Sequence, residues 1–115
     1  MKAMPLIIAA VVSSGPSLAQ TFQCQFTSEC FETEACAESA YDMTVRLEGD
    51  IARLSAVDGD FDGTAAPLGD GNLIRFASGF GPAMLTIHGD AARFSTHGVA
   101  DAMMVNYSGT CREVE

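Results

Sequence analysis

Three aspartates at alternate positions closed by a glycine, in the run D-G-D-F-D-G at 58–63, are the residues of this chain whose type and spacing come nearest to ion-binding chemistry. Carboxylates spaced this way can wrap oxygen ligands around calcium, because the closing glycine lets the backbone turn sharply. Asp58, Asp60 and Asp62 are therefore the candidate metal ligands, and calcium is the one cofactor the chain suggests. Where a bidentate glutamate belongs, at the twelfth position of such a loop, this chain has Gly69, with Asp70 following it. The other reading of the same residues is a solvated acidic turn.

Cysteine offers a second chemistry. Cys24, Cys30 and Cys36 are spaced C-x5-C-x5-C, with Cys111 near the far end. That spacing matches neither the C-x-x-C of thiol oxidoreductases nor the closely paired ligands of structural zinc sites. An even count fits a disulfide framework. Side-chain parity along strands selects the pairing, because successive residues point to opposite faces. Phe22, Cys24 and Phe26 share a face, as do Met103, Val105, Tyr107 and Cys111. If the first and last strands are neighbours, Cys24 meets Cys111 and Cys30 is left to close a local loop with Cys36. Continuous helix would hold Cys30 and Cys36 about 9 Å apart along its axis, too far for a bridge, so a turn or irregular loop is expected between them.

The cysteine loop is acidic, with Glu29, Glu32, Glu34 and Glu38 around Phe31. A constrained loop tipped with an aromatic loses little entropy on binding, so Phe31, Glu32 and Glu34 are candidate partner contacts. The turn A-S-G-F-G-P-A adds Ser78, Gly79 and Phe80. In both places the alternative is a solvated loop whose phenylalanine folds back onto the core. His88 and His97 fall at opposite ends of neighbouring strands and read as surface residues. The sequence contains no G-x-S-x-G elbow, H-E-x-x-H pair or phosphate-cradling glycine loop, and no nucleophile is placed beside a base; the chain reads as a non-enzyme.

The elements that must position these residues follow from glycine punctuation. Glycine recurs at 49, 59, 69, 79, 89 and 109, with Gly98 near the missing member. Turn signals at that spacing describe short antiparallel strands joined by tight turns. Gly49-Asp50 and Gly89-Asp90 suit two-residue turns of type II′. In that register Leu47, Val45 and Met43 face Ala52, Leu54 and Ala56, while Ile87 and Leu85 face Ala92 and Phe94. Arg46 then opposes Arg53, a repulsion that a nearby carboxylate would relieve. The expected strands are 21–27, 40–48, 51–57, 64–68, 72–78, 83–88, 91–97 and 102–110. The predicted fold is all-β: a small disulfide-stapled meander closing into a barrel or flattened sandwich of about eight strands. Helix is limited to one short turn near 28–38, with Ser28 as its cap.

Lys2, an apolar run from Leu6 to Val12 and small residues at Ser17 and Ala19 read as a secretory signal peptide over 1–19, cleaved after Ala19. Residues 20–115 then form a single β-domain, periplasmic or secreted, with no membrane span. Loss of Lys2 takes the net charge from −9 to −10, five arginines against fifteen acids. Such a surface repels phosphate backbones and anionic lipid, which argues against nucleic acid or a membrane surface as partner; the acidity either keeps an exported protein in solution or attracts a basic partner.

The motifs F-Q-C, S-E-C, E-A-C and Y-S-G-T-C together resemble small exported bacterial β-proteins of uncharacterised function, a resemblance that implies export and architecture. The chain is also similar, more distantly, to periplasmic lysozyme inhibitors, disulfide-bearing β-barrels that insert an S-G-x-x-Y loop into the enzyme's cleft. Ser78 and Gly79 match that loop, and Pro82 stands at its tyrosine position. The D-x-D-x-D-G run resembles the first half of an EF-hand loop. The expected function is a protein-binding module, with inhibition of a basic enzyme such as lysozyme as one version. The alternative is a calcium-stabilised structural or accessory domain.

Overall fold

Alternation of apolar and polar residues between tight turns produces eight antiparallel strands, each hydrogen-bonded to the next, with the last returning to the first. A computed structural model describes residues 19–100 and 102–114. The strands are β1 Gln20–Phe31, β2 Ala37–Glu48, β3 Ile51–Ala56, β4 Gly59–Leu68, β5 Gly71–Ala77, β6 Pro82–His88, β7 Ala91–His97 and β8 Met104–Val114. The sheet is a closed barrel, the first of the two architectures the sequence allows. The expected leader, apart from Ala19, lies outside the described residues.

One end of the barrel, here the lower end, carries the Gly-Asp turns at 49–50, 69–70 and 89–90. Their glycines have φ of 62°, 61° and 61°, the left-handed region that an L side chain enters only at a cost. Two of these turns also tie neighbouring strands: the carbonyls of Asp50 and Asp90 accept from the amides of Ala65 and Cys111, each at 3.0 Å. The upper end carries the β1–β2, β3–β4, β5–β6 and β7–β8 connections.

The expected register holds. Val45 pairs with Leu54, Leu47 with Ala52, Leu85 with Phe94 and Ile87 with Ala92, and all eight side chains are buried. Arg46 does oppose Arg53, and each has a carboxylate beside it: Glu48 at 3.6 Å from Arg46, Asp62 at 3.7 Å from Arg53. Phe26, Met43, Leu54, Ile74 and Leu85 are fully enclosed at the centre. Burying side chains of that size contributes about 1.5–3 kcal/mol each. Apolar side chains fill the interior while Arg46, Arg53, Asp60, Asp62 and Arg75 stand on the outer face, the reverse of a lipid-embedded barrel. Among the described residues no helix is long and apolar enough to cross a membrane.

Both disulfides form as parity requires, Cys24 with Cys111 and Cys30 with Cys36, and no cysteine is free. Cys24 and Cys111 sit directly opposite each other across the seam between β1 and β8, with side chains buried in the core. Bridges of this kind belong to an oxidising environment such as the extracellular space.

Two expectations are corrected. Residues 28–31 and 37–38 are strand, so Ser28 caps nothing; the short helical turn does not form because β1 and β2 pair on to Glu29 and Ala37. β4 begins at Gly59 rather than at 64, which turns most of the D-G-D-F-D-G run into strand. Pro67 lies in the stretch of β4 that runs past the last β3 pair at Thr64, where a missing amide donor breaks no bond to β3.

Candidate functional site at the upper mouth of the barrel

A bulge builds this site. Between Phe26 and Ser28 the register of β1 against β8 slips by one residue. Below the slip Phe22, Cys24 and Phe26 face inward; above it the inward residues are those opposite Tyr107 and Val105, namely Glu29 and Phe31. One extra residue thus reverses the parity of the strand and puts a carboxylate inside the mouth. Gly109 permits it. A Cβ there would lie 1.9 Å from the Gln25 carbonyl oxygen and 2.6 Å from the Phe26 Cα, so only glycine lets β8 come this close to β1.

Above the aliphatic core stand three nearly parallel rings. Tyr107 lies 5.2 Å from Phe94 and 5.4 Å from Tyr41, with Tyr41 to Phe94 at 6.0 Å, and Phe26 forms the floor. Both phenols give their protons to carboxylates: Tyr41 donates to Asp58 Oδ1 at 2.8 Å and Tyr107 to Glu29 Oε2 at 2.6 Å. Burial, then the hydrogen bond to a carboxylate and its negative charge, push both phenols well above the ordinary tyrosine range. Neither is a nucleophile or base near neutral pH; both are fixed donors.

The three rings and Asp58 line a cavity of about 270 Å³, and Glu29 adjoins it through its bond to Tyr107. Phe31, Ser78 and Phe80 line it together with Tyr41, Asp58 and Tyr107. Thr96, 5% exposed on β7, also lines it, and its hydroxyl oxygen has no hydrogen-bond partner. Beside the mouth an open apolar groove of about 840 Å³ runs past Met84, His97 and Val99, and Val99 is 75% exposed.

The sequence candidates divide sharply. Phe31, at the end of β1, and Ser78 and Phe80, from the β5–β6 connection, come together in this one cavity. Glu32 turns towards β8 and accepts from the Met104 amide at 3.1 Å, while the Glu34 amide closes a turn on the Phe31 carbonyl. Gly79 lies in the same tight turn as Ser78, whose hydroxyl is used internally: it donates to the Gly81 carbonyl and accepts from the amides of Phe80 and Gly81. Pro82 opens β6, so the turn presents Phe80 and no tyrosine.

Asp58, Asp60 and Asp62 are not brought together. Asp58 binds Tyr41, Asp60 accepts from Ser55 at 2.8 Å, and Asp62 faces Arg53. Each carboxylate is thus held by a different partner, on β2 for Asp58 and on β3 for Asp60 and Asp62. Among the described residues no group of three His, Cys, Asp or Glu side chains is arranged to hold a metal ion. His88 and His97 end β6 and β7 at opposite ends of the barrel.

Glu29, Tyr41, Thr96 and Tyr107 were not among the sequence candidates for a binding site, and Asp58 was a candidate only as a metal ligand. Their signal is faint. Tyr41 and Tyr107 occupy inward parity positions, but nothing local marks the bulge that turns Glu29 inward. Compared with protein-family models, curated proteins and solved structures, the chain matches none.

Proposed function

We propose that this chain is an exported, non-enzymatic β-barrel, periplasmic or secreted, that binds a basic protein through its upper mouth. The observation that carries the reading is the aromatic-lined cavity at the upper mouth. The upper connections hold Glu32, Glu34 and Asp58 with Phe80 and Val99 exposed beside them, and none of those connections contains lysine or arginine. Acidic groups around an apolar centre suit a cationic partner, whose approach they also accelerate. The leader-like N-terminus supports export, as do the two disulfides. Inhibition of a basic enzyme such as lysozyme is one version. In it Phe80 and the carboxylates would make the contact, because the Ser78 hydroxyl is spent within its own turn.

Matched charge removal at the two ends tests this. Glu32→Gln, Glu34→Gln and Asp58→Asn at the mouth are compared with Asp50→Asn, Asp70→Asn and Asp90→Asn at the lower end, each protein immobilised and challenged with basic periplasmic proteins and with lysozyme. Retention is expected to fall for the upper triple variant and persist for the lower one. Equal loss for both would reduce the effect to net charge and refute the reading. For the inhibitor version, unaltered lysis at a large molar excess is the refuting result.

A further inference from the structure

The mouth is composed almost wholly of hydrogen-bond acceptors. Each phenol has one proton, and both protons are given away, to Asp58 and to Glu29. What Tyr41, Tyr107, Asp58 and Glu29 still offer is lone pairs, with two negative charges behind them. Thr96 adds a buried hydroxyl oxygen without a partner, an arrangement that costs stability in an otherwise well-packed interior. The walls are aromatic, Phe31 and Phe80 lining the cavity together with Tyr41, Phe94 and Tyr107. A ligand that suits the two carboxylates and the phenol oxygens is cationic, rich in donors and flat enough to lie against rings, and the Thr96 hydroxyl can serve it as donor or acceptor. At about 270 Å³ the space falls short of a drug-sized pocket and suits one long side chain.

We propose that the mouth seats a guanidinium group, the end of an arginine side chain carried by the basic partner. Guanidinium has five donors and no acceptor, lies flat on aromatic rings and sheds water more readily than ammonium. Its fork meets Asp58, with the Glu29 charge held beside it on Tyr107, its plane packs on the ring walls, and the Thr96 oxygen gains a donor. The inference rests on the protein-binding reading above and specifies what that partner inserts.

The chain has two tyrosines and no tryptophan, so its intrinsic emission comes from Tyr41 and Tyr107 alone and reports on the mouth directly. The probes are a blocked glycine-arginine-glycine peptide, its lysine and citrulline counterparts, and free L-arginine, titrated at low ionic strength. The arginine peptide is expected to change tyrosine emission saturably, the lysine peptide to bind several-fold more weakly, and the neutral isosteric citrulline peptide to give no response. Glu29→Gln with Asp58→Asn should weaken the arginine peptide about tenfold or more. Thr96→Val, which keeps the shape and removes the orphan oxygen, should weaken it a few-fold without lowering the melting midpoint.

Equal binding of the citrulline peptide would overturn the proposal, as would free L-arginine binding as tightly as the peptide. If the arginine peptide gives no response while the upper triple variant still loses basic proteins, the guanidinium seat falls and the protein-binding reading stands. If the immobilised wild type retains no basic protein at all, the reading falls and the inference with it.

Discussion

Replacing Cys24 and Cys111 by alanine removes the covalent seam between the first and last strands. The bridge spans 87 residues, nearly the whole described domain. In the chain-entropy model a loop of that size stabilises by about 4 to 5 kcal/mol, and the enclosed side chains add a packing loss. For a domain of this length that corresponds to a fall in melting midpoint of roughly 20 to 30 °C. The Cys30–Cys36 bridge spans 6 residues, and the same model gives about 2 kcal/mol, roughly 10 °C. Thermal unfolding followed by far-ultraviolet circular dichroism, on both double alanine variants and the oxidised parent, measures the ratio. A Cys24/Cys111 variant already unfolded at room temperature also agrees, since whole domains are stable by only about 5–15 kcal/mol. Two variants that melt together, or a seam variant within a few degrees of the parent, would refute the reasoning.

Gly109→Ala should destabilise by about 3 kcal/mol or more, because its Cβ would meet backbone atoms of Gln25 and Phe26 next to the bulge. Gly49→Ala, with open space around it but φ of 62°, should cost about 1 kcal/mol; urea midpoints compare the two, and equal shifts would contradict the close approach at β1. Tyr107→Phe leaves the half-buried Glu29 without its donor and should cost about 1 to 2 kcal/mol, more than the exposed pair lost in Tyr41→Phe, again by urea denaturation. Calcium at millimolar concentration, followed by chelator, should leave the melting midpoint unmoved; a rise would restore a metal role to Asp58, Asp60 and Asp62.

Much of the barrel was legible because its strands are joined at the lower end by two-residue turns. A Gly-Asp turn fixes which residues face each other, so Val45 opposite Leu54 and Leu85 opposite Phe94 follow from counting alone. The same parity placed Cys24 opposite Cys111. The upper end resisted counting because three of its four connections are longer than two residues and because one bulge reverses the parity of β1. Counted from Phe22 without the slip, Cys30 points inward and Glu29 outward, the opposite of the fold. The D-G-D-F-D-G run misled for a related reason: carboxylates at alternate positions describe an ion-binding loop and the solvated face of a strand equally well. Gly63 resolves it, since it is not a turn residue but the point where β4 passes so close to β5 that a Cβ would lie 2.3 Å from the Arg75 carbonyl oxygen.

The phenols of Tyr41 and Tyr107 hold the mouth together, and their ionisation tests its construction most directly. Both ionise well above the ordinary tyrosine value, so their neutral form stabilises the fold fully below a pH of about 10, and that contribution is lost as pH rises through the folded-state value. An ultraviolet titration of phenolate absorbance, run beside circular dichroism, reads these two residues alone. The account predicts no phenolate step near pH 10 and a joint rise at higher pH as the barrel unfolds. A reversible ionisation of both tyrosines near pH 10, with the barrel intact, would contradict it.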